Sequence, residues 1–555
     1  MGWSFWIDRG GTFTDVVART PEGKLRTSKL LSADADRYAD AATEAVRRLL
    51  GVPGGDEVPS GDVDEVRMGT TVATNALLER TGEPTLLLIT EGFADALRIG
   101  DQHRPRLFTL RIDLPELLYA DVVEVRERVD ANGDVLMPID VEHAEAQLRA
   151  AYDRGLRAVA IVLLHGYRYP DHERRLAEVA RRVGYTQVSV SHEVTPLPKL
   201  VPRGETTVVD AYLSPVLDRY VTGVAAELGD VPLAFMQSSG GLAGAAGFRG
   251  KDAIVSGPAG GVVGMARVAE RAGFGQAIGF DMGGTSTDVS LYTGRFERTL
   301  DSVVAGVRVR APMLDIHTVA AGGGSILRFD GARYRVGPQS AGADPGPACY
   351  RRGGPLTVTD ANLVLGRIRP EHFPAVFGPQ GDGPIDAETS RRLFGELAEE
   401  IGRATGRTPE IEDVAAGFVQ IAVENMVNAI RRISVQRGHD VTRCALVSFG
   451  GAGGQHACAV ADALGIDIVL AHRFAGVLSA YGMGLADRRS LRQRAVGQPL
   501  DAAGTSEIIA SALDDLAAEA VEELRRGPGT GELSVERRVH VRYDGTDTTL
   551  DVPEA

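Results

Sequence analysis

The chain has 555 residues, 44% of them hydrophobic and 24% charged, with a formal net charge of −15. This is the composition of a globular protein with room for two to four domains, and its acidic balance argues against a nucleic-acid groove or an anionic membrane surface. No run of about 20 apolar residues is present, so no membrane span is expected.

The opening Met1-Gly2-Trp3-Ser4-Phe5-Trp6 meets Asp8 too soon to be a signal peptide. Gly2 sits where a myristoylated glycine would, but the residues after it build a strand over 3–7. That strand breaks into Asp8-Arg9-Gly10-Gly11-Thr12-Phe13-Thr14-Asp15-Val16. Helices are predicted at 39–50 and 144–154, with strands at 85–90, 158–164 and 187–191; this alternation argues for an α/β sheet. His103, Arg104 and Arg106 form either a solvated basic loop or a contact for an anion. Together these elements make a first predicted domain over 1–200.

The second predicted domain, 201–490, begins its core with a strand over 277–280. It repeats the opening phrase as Phe280-Asp281-Met282-Gly283-Gly284-Thr285-Ser286-Thr287-Asp288-Val289, identical to residues 7–16 at seven of ten positions. A carboxylate at a strand end suits Mg²⁺, a hard cation that keeps several waters; Asp8 and Asp281 are the candidate metal ligands. Gly10, Gly11, Gly283 and Gly284 permit tight turns whose backbone N–H groups face an anion. Thr12, Thr14, Thr285 and Thr287 add hydroxyl donors for phosphate oxygens, and Asp15 and Asp288 are placed to orient a water or a substrate. The phrase is not a Walker loop, and no Gly-x-x-x-x-Gly-Lys-Ser/Thr string occurs.

Further along, Asp315-Ile316-His317 puts an acid and a histidine on one face of a predicted strand, where they can hold a metal or a substrate carboxylate, or serve structure alone. The turn Gly322-Gly323-Gly324-Ser325 follows. Arg9 is an unusual neighbour for a magnesium-binding acid and could contact phosphate or substrate. Asp344 precedes Pro345 and reads locally as a turn residue. Cysteines are three, Cys349, Cys444 and Cys458; so odd and sparse a set implies a reducing, cytoplasmic setting, not a disulfide framework. Cys349 reads as a small buried residue before it reads as a reactive thiol. Residues 378–384 are a glycine- and proline-broken loop. A helix over 412–436 should end at Gly438. Residues 445–457 form an apolar strand, a glycine turn and a helix start, where glycines let a ligand approach the backbone. Residues 491–555 hold a helix at 505–525 and then a hairpin expected to continue into a sheet.

Two phosphate loops in tandem halves, followed by a glycine loop, resemble the actin-like ATPase superfamily. Within it, the chain is similar to the hydantoinase A/oxoprolinase family, closest to its oxoprolinase branch. The similarity rests on Ile7 to Asp15, Lys29-Leu30-Leu31-Ser32, Met68 to Arg80, Ser256-Gly257-Pro258-Ala259-Gly260-Gly261, Ala343 to Tyr350 and Thr359-Asp360-Ala361-Asn362-Leu363. It runs from about residue 3 to about residue 550. The resemblance implies an α/β actin-like fold: duplicated ribonuclease-H-like halves with a nucleotide cleft, plus the start of a C-terminal domain. It implies ATP and Mg²⁺ as cofactors, with Gly450, Gly451, Gly453, Gly454 and Gln455 bordering the adenosine, and it favours Asp344 as a site residue.

The activity implied is ATP-dependent ring opening of 5-oxo-L-proline to L-glutamate, this part phosphorylating the amide oxygen and a B-type part completing hydrolysis. Rivals are a hydantoinase, the ATP-using subunit of a ketone carboxylase, a sugar kinase, and a nucleotide-dependent assembly or chaperone-like protein. The expected partners are a small cyclic amide, the B-type half or subunit, and further copies of the chain; no nucleic acid or membrane is expected. The family's A-type region normally runs past the point where this chain stops, so a fragment or truncated product is expected.

Overall fold

A computed structural model describes all residues except 1, 33–36, 54–55, 102–107, 109, 111–113, 115, 374, 379–380, 527–530, 547–548 and 555. His103, Arg104 and Arg106 lie outside the described residues. The chain divides into two compact units. The first comprises Met1–Gly69, Ser256–Thr299 and Leu314–Ala486; the second comprises Thr70–Val255, Leu300–Met313 and Asp487–Ala555.

The first unit carries the expected duplication. Of a six-stranded sheet, four consecutive strands run in the order Val63–Thr70, Trp3–Arg9, Phe13–Arg19, Leu25–Leu31. In the other the order is Val469–Ala471, Ala445–Phe449, Ala277–Met282, Thr287–Tyr292, Ile316–Val319. Each sheet therefore has its first strand inside, the hairpin mate on one flank with a third strand beyond it, and a later strand on the other flank. Such a repeated α/β order is that of the duplicated halves of an actin-like fold.

Both central strands are apolar runs with little alternation, because both faces are covered: Ser4 on one face and Phe5 and Ile7 on the other are fully buried, as are Ala277 on one face and Ile278 and Phe280 on the other. Helix Ala41–Leu50 starts where the Asp40 carboxylate accepts the N–H groups of Ala42 and Thr43, and it ends at Gly51 with φ 74°. Helix Ile411–Ile433 stops short of the expected residue 436. The Ser434 hydroxyl turns back to the carbonyl of Ile430, and a single 3₁₀ turn, Val435–Arg437, intervenes before Gly438. Gly438 thus caps that turn and not the α-helix.

Helices Ser256–Arg271 and Leu478–Leu485 cross with backbone on backbone. A Cβ on Gly482 would lie 2.0 Å from the Gly260 carbonyl oxygen and 2.6 Å from the Gly264 nitrogen. Backbone cannot yield as a side chain can, so Gly482→Ala is expected to lose about 3 kcal/mol of unfolding free energy in urea. A wild-type midpoint would contradict this packing.

The second unit holds an all-parallel sheet in the order Gln187–Val190, Ala158–Val162, Thr85–Thr90, Tyr119–Val125. Helices Val141–Asp153 and Asp171–Val183 pack on one face, and Leu200–Leu228 on the other. The strand expected to reach 164 ends at Val162, because the Leu163 N–H leaves the ladder for the Glu173 carboxylate, at 2.9 Å. Helix Thr505–Arg526 and an antiparallel pair, Arg538–Val541 with Leu550–Pro553, close the chain. No described helix is long and apolar enough to cross a membrane.

Candidate functional site

The two repeated phrases fold into the same local structure. In each, the turn closes with one hydrogen bond of 3.0 Å: Gly10 N–H to the Phe13 carbonyl, and Gly283 N–H to the Ser286 carbonyl. The register then sets Asp8 opposite Asp15 and Asp281 opposite Asp288. Burial raises the carboxyl of Asp281 well above its usual range, and the charges of Asp288, Asp8 and Asp15 raise it further. Asp8 and Asp15 of the first hairpin thus act on Asp281 of the second, inside the first unit.

The four acids are unequally served. Asp15 is paired with Lys29 at 2.6 Å, and the Asp288 carboxylate accepts the Thr318 hydroxyl at 2.6 Å. Asp8 is pushed up to about 7, by burial first and the Asp15 charge second, against the pull of Lys29. Its Oδ1 is buried without a hydrogen-bond partner. Helix Ser256–Arg271 approaches there so closely that a Cβ on Gly257 would stand 3.0 Å from that oxygen. Such excess negative charge suits a cation. Among the described residues no group of three or more His, Cys, Asp or Glu is gathered to chelate one. One or two carboxylates plus ligand oxygens and water is the usual manner of Mg²⁺, and Asp8 and Asp281 fit that donor set.

The loop residues divide by role. Gly11, Thr12, Gly284 and Thr285 are exposed at the turns. Thr14 and Thr287, expected to donate to phosphate, are fully buried instead. The Thr14 hydroxyl meets Ser32 at 3.0 Å, and the Thr287 hydroxyl donates to the Ala321 carbonyl. The Gly322-Gly323-Gly324 run presses on the second loop: N–H groups of Gly323 and Gly324 take the carbonyls of Gly283 and Gly284 at 3.1 and 2.6 Å. A Cβ on Gly322 would come within 2.6 Å of the Thr285 backbone. With those carbonyls occupied from behind, the loop can offer N–H groups to an anion.

Strand Ala445–Phe449 runs parallel to Ala277–Met282 and so delivers the third glycine loop beside Asp281. Gly450 has φ +80°, and a Cβ there would stand 2.4 Å from Asp281 Oδ1, so both conformation and space require glycine. The Ala452 N–H then bonds the Met282 carbonyl at 2.9 Å. Gly451 and Gly454 are exposed, Gly453 is buried, and the Gln455 side-chain oxygen accepts from Asn362 Nδ2 at 2.8 Å. Asn362 was not among the sequence's site candidates.

The remaining candidates have partners of their own. Arg9 reaches the Asp40 carboxylate at 3.3 Å, Asp315 is ion-paired with Arg437, and Asp344 is exposed, 4.0 Å from Arg352. His317 lies opposite Val289 in the sheet, and burial, with Arg432 nearby, holds its protonation below the usual range. Cys349 is fully buried, and its thiol is pushed up by burial and by Asp360.

Comparison with known proteins places this geometry in context. The family model described as hydantoinase/oxoprolinase matches residues 203–492, and that of the hydantoinase/oxoprolinase N-terminal region matches 4–184. The chain is 45% identical to 5-oxoprolinase 1 of Arabidopsis thaliana, over 99% of this chain and 46% of that protein. It thus spans about half the length of the first curated relatives it matches. Among solved structures, the ATP-dependent caprolactamase from Pseudomonas jessenii superposes with a TM-score of 0.83 at 32% identity, over 100% of this chain and 81% of that one. Nucleotide-free acetone carboxylase shares the fold, with a TM-score of 0.74 at 23% identity, over 99% of this chain and 80% of that one.

Proposed function

Because the chain belongs to the hydantoinase/oxoprolinase family, we propose that it binds Mg·ATP between its two hairpin loops and phosphorylates the carbonyl oxygen of 5-oxo-L-proline. The carrying observation is the repeated hairpin, which sets Asp8 and Asp281 in one field between exposed glycine turns. The kinship to oxoprolinases supports the substrate.

Asp8 and Asp281 hold the metal, which when bound neutralises phosphate oxygens and the charge that builds between them. N–H groups at Gly10-Gly11-Thr12 and Gly283-Gly284-Thr285 position the phosphates, with the exposed hydroxyls of Thr12 and Thr285. Gly450, Gly451, Gly453, Gly454 and Gln455 border the adenosine. Asp15 and Asp288, held by Lys29 and Thr318, orient the acceptor or a water.

In the transfer the bond from the γ-phosphorus to the ADP oxygen breaks, and one to the amide oxygen forms. That oxygen carries no proton, so the step needs no general base; positioning and charge neutralisation supply the catalysis. One water then adds to the activated carbon and the C–N bond opens, leaving an acyl phosphate of the glutamate side chain; a second water hydrolyses that acyl phosphate, giving L-glutamate, ADP and phosphate. The hydrolytic half is the work of a B-type partner, in a cytoplasmic assembly.

The test is ADP release from Mg·ATP with 5-oxo-L-proline, hydantoin, caprolactam or acetone added in parallel. Stimulation by 5-oxo-L-proline above the others is expected. Stimulation by a different compound would overturn the substrate, and ATP binding with no stimulation would overturn activation by this chain alone.

A further inference from the structure

Helix Val358–Val364 connects the second glycine turn with the third glycine loop, and three buried polar atoms, one in the helix, one after the loop and one in the strand before it, lack partners. At its start Thr359 grips the carbonyl of Gly323 through its N–H at 2.8 Å and its hydroxyl at 2.9 Å. One residue on, the buried Asp360 carboxylate fixes the helix in place. It accepts the N–H groups of Ala348, Cys349 and Thr357 and the hydroxyls of Thr357 and Ser390. Two residues further, the fully buried Asn362 meets Gln455 Oε1 at 2.8 Å and His456 Nε2 at 3.0 Å, both through Nδ2. The main chain is strapped as well, since Arg367 donates to the Gln455 carbonyl at 3.3 Å.

An amide nitrogen only donates, and it has two hydrogens, so one goes to each acceptor. His456 Nε2 is therefore unprotonated, and the neutral ring carries its hydrogen on Nδ1. That Nδ1, Asn362 Oδ1 and Ser448 Oγ are the unpartnered atoms. A contact serving stability alone would satisfy such groups. The arrangement does one thing clearly: it commits Gln455 Oε1 to Asn362, which leaves the half-buried carboxamide its N–H donors for any further partner, next to the exposed Gly454 in the chain. A free glutamine flips its amide to suit donor or acceptor; this one cannot.

We infer that Asn362 and His456 are positioning residues that hold Gln455 as a fixed hydrogen-bond donor to a ring nitrogen of the purine base. This rests on the nucleotide reading above and adds which side chains give the base site its polarity. Asn362 acts through Gln455 and touches no ligand itself.

The experiment is calorimetric titration of the intact chain with Mg²⁺ and ATP, 1-deaza-ATP, 3-deaza-ATP or 7-deaza-ATP. Each analogue replaces one ring-nitrogen acceptor by C–H. The wild type should bind one analogue about tenfold more weakly than ATP, the cost of one hydrogen bond. Gln455→Ala should bind that analogue and ATP alike. Asn362→Asp keeps the side-chain shape but removes the donors, releases Gln455 and should behave as Gln455→Ala does. Gln455 is only half-buried, so its truncation keeps the fold even where the buried Asn362 change does not. Wild-type binding that ignores all three substitutions, or discrimination that persists in Gln455→Ala, would overturn the inference. A wild type that binds no nucleotide would instead overturn the proposed function.

Discussion

Asp8→Asn and Asp281→Asn should each lower ATP turnover by about a thousandfold, in an ADP-release assay at saturating ATP and Mg²⁺. Asparagine keeps the shape and removes only the charge that the metal needs. Asp8 has one oxygen buried without a partner, so no structural bond is lost with the charge. Asp281 lies against Gly450 and in the field of Asp8, Asp15 and Asp288, so its loss unbalances the same centre. Asp344→Asn is the control: its side chain is 86% exposed, and its nearest cation is 4.0 Å away. That variant should stay within about twofold of wild type. A residual activity of Asp8→Asn near the wild-type level would remove the metal role from the first hairpin.

The same substitution should stabilise the metal-free protein, and only at alkaline pH. The Asp8 carboxyl in the folded chain is raised to about 7 from an ordinary 3.8. The folded state therefore holds this proton where the unfolded chain has released it, and stability falls as pH rises from about 4 to about 7. Above that window the full penalty, about 4 kcal/mol at most, is present. Asp8→Asn lacks the penalty. In EDTA its unfolding free energy should exceed that of wild type by a few kcal/mol at pH 8 and match it near pH 4. Mg²⁺ should narrow the gap at pH 8 by stabilising the wild type alone. An equal difference at both pH values would mean that the buried carboxyl of Asp8 is not the cause. Activity and stability would thus be opposed at one residue, as expected where a site gathers like charges before its ligand arrives.

What could be seen in the sequence was whatever recurs or lies close in the chain. The repeated phrase revealed both hairpins, because acid, glycines and threonines sit at fixed spacings within ten residues. Strand 85–90 and the helix that begins at Thr505 stood out by local pattern. What the sequence did not show involves partners far along the chain. Thr14 and Thr287 have the right chemistry for phosphate, but their burial is decided by Ser32 and Ala321. Asp315 pairs with Arg437, 122 residues away. Asn362 meets Gln455 across 93 residues; it lies in a stretch that carries the family resemblance, but nothing local names its partner. The composition of the two compact units was hidden for the same reason: the pairing of Ala277–Met282 with Ala445–Phe449 joins distant segments into one sheet. Helix Ile411–Ile433 was overrun because Ser434 breaks it through its own side chain, a signal weaker than the glycine that follows.

The central claim is that the two hairpins together form one phosphate site. Its most direct measurement is a calorimetric titration of Mg·ATP into the wild type and into the Asp8→Asn, Asp281→Asn double variant. One ATP bound per wild-type chain, dependent on Mg²⁺ and lost in the double variant, is the expected result. Equal affinity in the two proteins would contradict the claim and place the nucleotide elsewhere.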